Sequence, residues 1–162
     1  MHSKIQIIPY NESHKEDIID LILSIQTKEF GIPISLKDQP DLENISAVYQ
    51  RDSGNFWVAV INNHVIGTIA LIDIGKQQGA LRKMFVKHNY RGKEVASHLL
   101  NVLLTWCKEK KLKKIYLGTT TAYLAAHRFY EKNGFKEIPK AKLPANFPLI
   151  PVDSKFYSYL IK

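Results

Sequence analysis

The sequence predicts an α/β fold in which a mixed, mostly antiparallel sheet is flanked by helices. Three observations predict it. Short β-branched runs alternate with amphipathic helical patterns along the chain. Consecutive strands in the middle of the chain are joined by tight turns, which is typical of antiparallel hairpins. One long helical pattern separates two strands, and this arrangement predicts a right-handed parallel crossover.

The first third of the chain predicts one strand and two helices. Ile5–Pro9 alternates like a short strand and ends at a proline. A Ser-x-x-Glu start, followed by apolar residues at helical spacing, predicts a helix over Ser13–Thr27. Gly31–Pro40 is predicted to be a loop, and Asp38 or Asp41 is expected to open a second, shorter helix.

The middle of the chain predicts three antiparallel strands in a meander. Asn62-Asn63 and the segment Gly75–Gly79 have the composition of tight turns. The strands that these turns connect are Phe56–Ile61, Val65–Ile74 and Ala80–Lys87.

The second half predicts two helices, each followed by a strand, and a final strand. Apolar residues recur at helical spacing in the longest pattern, which ends in lysines that suit the helix dipole. The expected elements are helix Arg91–Lys110, strand Lys114–Thr119, helix Ala122–Asn133 with a C-cap at Asn133-Gly134, strand Phe135–Ile138, loop Lys140–Pro151 and strand Lys155–Ile161. The predicted order is therefore β-α-α-β-β-β-α-β-α-β-β.

The composition describes an ordered chain with a surplus of positive charge. Its 162 residues suit a single domain over 1–162, and 45% of them are apolar. The net charge of +8 favours an anionic partner: a nucleic acid, an acidic membrane surface or a phosphorylated small molecule. The one cysteine, Cys107, excludes a disulfide framework and argues against a cysteine-based zinc site.

The same composition predicts a cytoplasmic protein without a membrane partner. A single cysteine is typical of the reducing cytosol. The segment Met1–Ile5 lacks the apolar core of a signal peptide, and no stretch reaches the roughly 18 apolar residues of a membrane span.

A basic turn between a strand and the long helix is the first candidate site. Six lysines and arginines and no acids lie between Lys76 and Lys93. The unpaired N–H groups and dipole of a helix N-terminus suit a phosphate group, and the small residues Gly92 and Ala96 leave room for one. The alternative interpretation is an ordinary turn with solvated lysines.

This segment resembles the Gcn5-related N-acetyltransferase family, whose phosphate signature is Arg/Gln-x-x-Gly-x-Gly/Ala. Arg91 and Ala96 match it, whereas Glu94 stands where the first glycine is expected and requires a helical backbone that points its carboxylate away from the pyrophosphate. The resemblance implies that acetyl-CoA is the co-substrate. The residues expected to hold it are Met84, Phe85, Val86, Arg91, Gly92, Lys93, Glu94, Val95, Ala96, Thr120 and Thr121.

The resemblance extends to the strand before this turn. Leu81–Val86 looks like the family's fourth strand, whose backbone pairs with the pantetheine arm and whose bulge offers an N–H to the thioester carbonyl. Here the resemblance implies Phe85 or Val86 as that donor. The fourth and fifth strands are expected to diverge and admit the pantetheine.

The segment Ala126–Phe135 is similar to the family's Ala-x-x-x-Tyr-Glu-Lys-x-Gly-Phe motif. The matching tyrosine, Tyr130, is implied to be the general acid that protonates the leaving thiolate. Tyr123 occupies the position of the family's cofactor-binding asparagine, so that Thr119, Thr120 or Thr121 is expected to replace it.

A carboxylate near the end of the first helix is expected to act as the general base, directly or through water. Glu29 is our choice, and Asp38 and Asp41 are alternatives in the following loop. An acidic wall there would also attract a cationic amine. For Glu29, a solvated acid at a helix end, without a role in the chemistry, is the competing interpretation.

The function predicted from the sequence is acetyl-CoA-dependent acetylation of a primary amine, in the first place that of a small molecule. Attack is direct, because no suitably placed cysteine or serine is evident. An acyl-CoA-binding sensor of the same fold and a basic nucleic-acid-binding protein are the alternatives; neither a metal nor a nucleic acid is expected as a ligand. His88, His98 and His127 lack metal-ligand spacing. A homodimer is compatible with this interpretation.

Overall fold

The computed structural model describes residues 4–162, so that Met1–Ser3, part of the segment expected not to be a signal peptide, lie outside it. Its strands are β1 Gln6–Pro9, β2 Asn55–Ile61, β3 His64–Gly75, β4 Gln78–Val86, β5 Lys114–Thr119, β6 Lys136–Ile138 and β7 Lys155–Leu160. They form one sheet in the order β1-β2-β3-β4-β5-β7-β6. Within the described chain, β4 and β5 are parallel and all other neighbours are antiparallel. The predicted fold class is confirmed.

Within residues 4–162, four α-helices flank the sheet, and the predicted order of elements is confirmed. They are α1 Lys15–Leu23, α2 Ile45–Tyr49, α3 Val95–Glu109 and α4 Leu124–Lys132. Short 3-10 turns at Leu36–Asp38 and Pro40–Glu43 precede α2. No helix among residues 4–162 is long and apolar enough to cross a membrane.

The first helix differs from its prediction at both ends. A 3-10 turn precedes it. The cap of this turn is Asn11 and not Ser13, because the Asn11 side chain accepts a hydrogen bond from the Ser13 N–H at 2.9 Å. At its other end, Ser24–Glu29 continues as a π-helix. Such wide turns are frequent at functional sites, because they displace side chains from the regular helical positions.

The long helix begins four residues later than predicted. Gly92 and Glu94 have φ angles of 76° and 66°, which a right-handed helix excludes, and α3 therefore starts at Val95. Positive φ angles also occur at Asn62 and Asn63, where they confirm the predicted hairpin turn.

The helices enclose the sheet from both sides. The core between α3 and the sheet includes Trp57, Ile66 and Leu99, and α1 and α2 pack on the other face around Phe56 and Val58. Cys107 is fully buried.

The parallel pairing of β4 with β5 is short, and this opens the sheet. It comprises three residue pairs, Gln78–Lys114, Gly79–Ile115 and Ala80–Tyr116. Beyond Ala80 the two strands no longer pair. The predicted divergence of the fourth and fifth strands is therefore present.

We predict that Leu99→Ala lowers the free energy of unfolding by about 2–5 kcal/mol, because Leu99 is fully buried and joins α3 to the sheet. Urea unfolding checks this. His98→Ala, an exposed change on the same helix, should stay within about 0.5 kcal/mol of the wild type. Equal losses in the two variants would contradict the packing of α3.

Candidate active site

A cavity of about 580 Å³ opens where β4 and β5 diverge. Residues Leu81–Val86 of β4 and Leu117–Thr119 of β5 form its floor. One side, here called the helix half, includes residues around the start of α3 and residues before and along α4: Tyr90, Arg91, Gly92, Glu94, Val95, Ala96, Ser97, Thr120, Ala122, Tyr123, Leu124, Ala125, Ala126, Phe129 and Tyr130. The other side, here called the loop half, consists of Ile25, Gln26, Phe30, Ile32, Phe147, Pro148, Ile150, Val152 and Asp153.

Most of the predicted cofactor-binding residues lie on this cavity. Those that line it are Met84, Phe85, Val86, Arg91, Gly92, Glu94, Val95, Ala96 and Thr120. Lys93 and Thr121 do not line it; the Lys93 ammonium lies 5.7 Å from the ring centre of Tyr90 instead. The cavity therefore unites the basic turn, the fourth strand and the start of α4.

The start of α3 presents unpaired backbone N–H groups to the cavity. An α-helix leaves the N–H groups of its first turn without helical partners, and Glu94 forms no side-chain capping bond to them. The dipole of this helix and the adjacent basic residues favour an anion here. These features fit the pyrophosphate of coenzyme A.

Glu94 has a left-handed backbone, so that our prediction of a helical conformation at this position was wrong. Its φ and ψ are 66° and 9°. Glycine adopts this conformation without steric cost, whereas other residues are strained by roughly 1–2 kcal/mol. The structure thereby explains why a glycine is expected at this place in the signature.

Arg91 connects the basic turn to the end of the first helix. Its Nε donates to the Val86 carbonyl at 2.9 Å, and both terminal nitrogens donate to the Glu29 carboxylate, one of them at 2.8 Å. The guanidinium also lies 5.8 Å from the ring centre of Phe30. The side chain of Arg91 is thus engaged with the protein itself, which leaves the backbone of the turn to face a ligand.

The same ion pair holds our predicted base away from the cavity. Glu29 is exposed, does not line the cavity and is bound to Arg91, with His88 at 3.8 Å. The alternative Asp38 caps a 3-10 turn by accepting from the Ser35 N–H at 2.9 Å. The geometry supports neither acid as the base.

A bulge in β4 lies at Lys83 and Met84, before the Phe85 and Val86 positions that we expected to present the donor. The register with β3 shifts at this point, and Lys83 has a φ of 51°. The hydroxyl of Thr68 donates to the Lys83 carbonyl at 2.6 Å and secures the bulge. The bulge places Lys83 in the cavity wall.

Lys83 is the centre of a buried polar network that the sequence did not reveal. Only 8% of the residue is exposed, and its Nζ donates to Gln39 at 2.5 Å and lies 3.6 Å from Asp41. Gln39 exchanges two hydrogen bonds with Gln26, and the Tyr49 hydroxyl donates to Asp41 at 2.6 Å. Burial lowers the pKa of Lys83 to about 8, although Asp41 opposes this effect.

Asp153 is a carboxylate that sequence analysis missed. It lines the cavity over Gly118, where a Cβ atom would lie 2.6 Å from the Asp153 Oδ2, so that only glycine leaves room for it. The carboxylate forms no hydrogen bond or ion pair with residues 4–162. Burial raises its pKa to about 6, and the charges of Arg82 and Lys83 limit the rise.

Tyr130 shares this part of the cavity with Asp153. It is 4% exposed, and its hydroxyl has no hydrogen-bond partner in the described chain. Burial raises the pKa of this phenol well above its usual value, and the nearby Asp153 and Tyr157 add to the rise. The phenol therefore stays protonated. The cavity thus holds one group suited to accept a proton and one suited to donate a proton.

Tyr123 completes an aromatic wall where the family has an asparagine. Its ring meets Phe30 edge-on at 4.9 Å between centres and Phe85 at 6.2 Å. Burial raises the pKa of its hydroxyl to about 12. Thr120, one of the expected replacements, lines the cavity and accepts through its carbonyl from His127 at 2.9 Å.

No group of three potential metal ligands exists within residues 4–162.

Known proteins share this architecture. Residues 19–135 match the sequence model of the Acetyltransferase (GNAT) family. A crystal structure of a GNAT-family acetyltransferase from Staphylococcus aureus Mu50 is 45% identical, with a TM-score of 0.96 over 98% of this chain and 100% of that chain. The PaiA N-acetyltransferase of Thermoplasma acidophilum, crystallised in complex with coenzyme A, has a TM-score of 0.73 over 97% of this chain and 99% of that chain. Its 18% identity shows the fold alone.

A curated relative matches at the level of sequence. N-acetylaspartate synthetase of Xenopus tropicalis is 37% identical over 102 residues, which cover 60% of this chain and 37% of that protein. The chain thus corresponds to little more than a third of the length of this relative.

We predict that Glu94→Gly is more stable than Glu94→Gln by about 0.5–1 kcal/mol. Both variants remove the charge, but only glycine relieves the left-handed strain, and part of that gain is offset by the greater freedom of glycine in the unfolded chain. Parallel urea titrations compare the two variants. Equal stabilities, or a more stable glutamine variant, would show that position 94 is unstrained.

Proposed function

This chain belongs to the acetyltransferase (GNAT) family, and from this premise we propose that it transfers the acetyl group of acetyl-CoA directly to the primary amine of a small molecule. One observation carries the proposal. An unpaired carboxylate, Asp153, and an unpaired phenol, Tyr130, share the cavity between the diverging strands.

The size of the cavity and its backbone donors support acetyl-CoA as the co-substrate. Its volume of about 580 Å³ is within the usual range of small-molecule sites. The backbone N–H groups at the start of α3 would hold the pyrophosphate, and the edge of β4 at Met84–Val86, which has no partner on the β5 side, would pair with the pantetheine arm. Acetyl-CoA supplies an acetyl group activated as a thioester.

Asp153 is the proposed general base. An amine enters as an ammonium ion and must lose a proton before it attacks. A carboxylate with a pKa of about 6 is ionised at neutral pH and is a stronger base than an ordinary aspartate. This role replaces the one that we expected for Glu29.

Tyr130 is the proposed general acid. Its raised pKa keeps the proton on the phenol until the thiolate leaves, and its position beside Asp153 places both proton transfers in one cavity. Direct attack is supported by Cys107, the only cysteine, because full burial raises its pKa to about 12 and removes it from any acyl-carrying role.

A small-molecule acceptor is supported by the name of one relative. The Xenopus relative is named for the synthesis of N-acetylaspartate, a small molecule. We place this activity in the cytoplasm.

The second candidate is an acyl-CoA-binding sensor of the same fold that has lost transfer. The strained, negatively charged Glu94 at the phosphate turn and the aromatic Tyr123 in place of asparagine favour it. The two candidates share the binding step and differ only in turnover.

A thiol-release assay tests the proposal. Purified protein is mixed with acetyl-CoA and a panel of amines, and free coenzyme A is followed over time. Amine-dependent release supports the transferase. Binding of acetyl-CoA without release from any amine would favour the sensor.

We predict that Tyr130→Phe lowers kcat by about 100-fold while KM and stability change little, because the hydroxyl holds a proton but no structural hydrogen bond. Steady-state kinetics and thermal unfolding measure this. Tyr159→Phe is the matched control, since Tyr159 lies outside the cavity lining. An unchanged kcat in Tyr130→Phe would remove the proposed acid.

We predict that kcat/KM of the wild type rises with pH through an apparent pKa of about 6, and that Asp153→Asn removes this limb with a loss of about 100-fold or more. Asp20→Asn, an exposed change on α1, is the control. Retention of the limb in Asp153→Asn would assign it to another group.

The same raised pKa has a consequence for stability. Because the folded-state pKa of Asp153 exceeds the ordinary 3.8, its contribution to stability is present below that value and lost as the pH rises through about 6. Asp153→Asn should therefore gain stability relative to the wild type at neutral pH. A loss there would show that the carboxylate is stabilising.

A further inference from the structure

Arg82 is a charged side chain in the cavity wall that the mechanism above does not use. It lies on β4, is partly buried and lines the cavity beside the loop half. Its guanidinium forms no hydrogen bond or ion pair with the part of the chain that the structure describes. A desolvated charge without a partner is costly, and a guanidinium carries five N–H donors in a planar fork. The group is therefore poised for an anion that the protein itself does not supply.

Two positive groups, Arg82 and Lys83, lie near two carboxylates, Asp41 and Asp153, in this part of the molecule. Arg82 lies close enough to Asp153 and Lys83 to lower the pKa of each. The negative charge of Asp41 is already shared by Lys83 and the Tyr49 hydroxyl. Asp153 is beyond ion-pair distance of Arg82. Of these groups, only the Arg82 guanidinium is left to bind an incoming anion.

We propose that the acceptor is an amino acid, an amine with a carboxylate close to its amino group, and that Arg82 binds this carboxylate while the amino group faces Asp153. The proposal rests on the transferase function above and names its substrate class. A guanidinium and a carboxylate form a bidentate pair, which fixes orientation as well as affinity. A zwitterion thus meets an opposite charge at each end.

The reaction balances without further components. The ammonium group of the acceptor gives one proton to Asp153. The amine nitrogen forms the new bond to the acetyl carbon and the carbon–sulfur bond breaks. Tyr130 protonates the departing thiolate and regains a proton through solvent in exchange for the second nitrogen proton. Asp153 releases its proton to solvent before the next turnover. Arg82 takes no part in these transfers, and its role is to position the acceptor.

Other amine classes fit these charges less well. A polyamine would bring further positive charge toward Arg82 and Lys83. An amine with an amide in place of the carboxylate, as at a peptide N-terminus, would leave the Arg82 guanidinium without its anion. A carboxylate near the amino group is therefore the feature that distinguishes the proposed acceptor from these other amines.

The first test uses the wild-type protein. Rates of thiol release are measured with acetyl-CoA and individual amino acids, each beside its carboxamide, and with spermidine and tyramine as amines without a carboxylate. We expect kcat/KM of the preferred amino acid to exceed that of its carboxamide by about 10–100-fold. Equal values, or a preference for spermidine, tyramine or the carboxamide, would overturn the proposal while the transferase function stands. No release with any amine would refute both.

A variant then assigns the recognition to its residue. Arg82→Gln should raise KM for the amino acid by about 10–100-fold, with a smaller effect on kcat and little change for the carboxamide. Arg128→Gln, which removes an exposed arginine outside the cavity lining, is the matched control. Thermal unfolding confirms that both variants fold. An equal rise of KM for the acid and the carboxamide would overturn the role of Arg82.

Discussion

The early end of the pairing between β4 and β5 is the constraint on which the site depends. Parallel pairing stops after Ala80–Tyr116, and the strands separate around the space that becomes the cavity. Because a parallel pair requires a crossover, the helix that connects these strands begins at the same opening and points its N-terminus toward it. The gap is therefore bordered by the unpaired edge of β4 and by the N-terminus of α3, whose N–H groups suit an anion.

Desolvation in this gap determines the electrostatics of the site. The same burial raises the pKa of Asp153 and Tyr130 and lowers that of Lys83, because each charged form loses contact with water. The protein compensates Lys83 with Asp41 and Gln39, but leaves the other two groups unpaired. Acyl transfer to an amine requires one group that accepts a proton from the amine and one that donates a proton to the leaving group, and two unpaired groups in one cavity can supply both.

Sequence reasoning recovered what depends on periodicity and local motifs. Element order followed from alternating and helical patterns. A motif within one helix singled out Tyr130, which lines the cavity and whose role stays a prediction. Sequence reasoning missed Asp153, because a loop with three prolines brings this residue over Gly118, and the path of such a loop is set by tertiary packing. Glu29 was chosen for its place at a helix end, but it lies in the π-helical segment, its carboxylate binds Arg91 and it does not line the cavity. The start of α3 was misplaced because a positive φ at Glu94 leaves no mark in the hydrophobic pattern.

Binding of acetyl-CoA to the cavity between the diverging strands is the central claim, and thermal unfolding of the purified protein with acetyl-CoA, beside ATP and a short DNA duplex, tests it most directly. A ligand at about 100 times its Kd adds about 2.7 kcal/mol, which raises Tm by about 5–10 °C in a domain of this size. The account predicts such a rise with acetyl-CoA and none of comparable size with ATP or DNA. No rise at millimolar acetyl-CoA, or an equal rise with ATP, would contradict it.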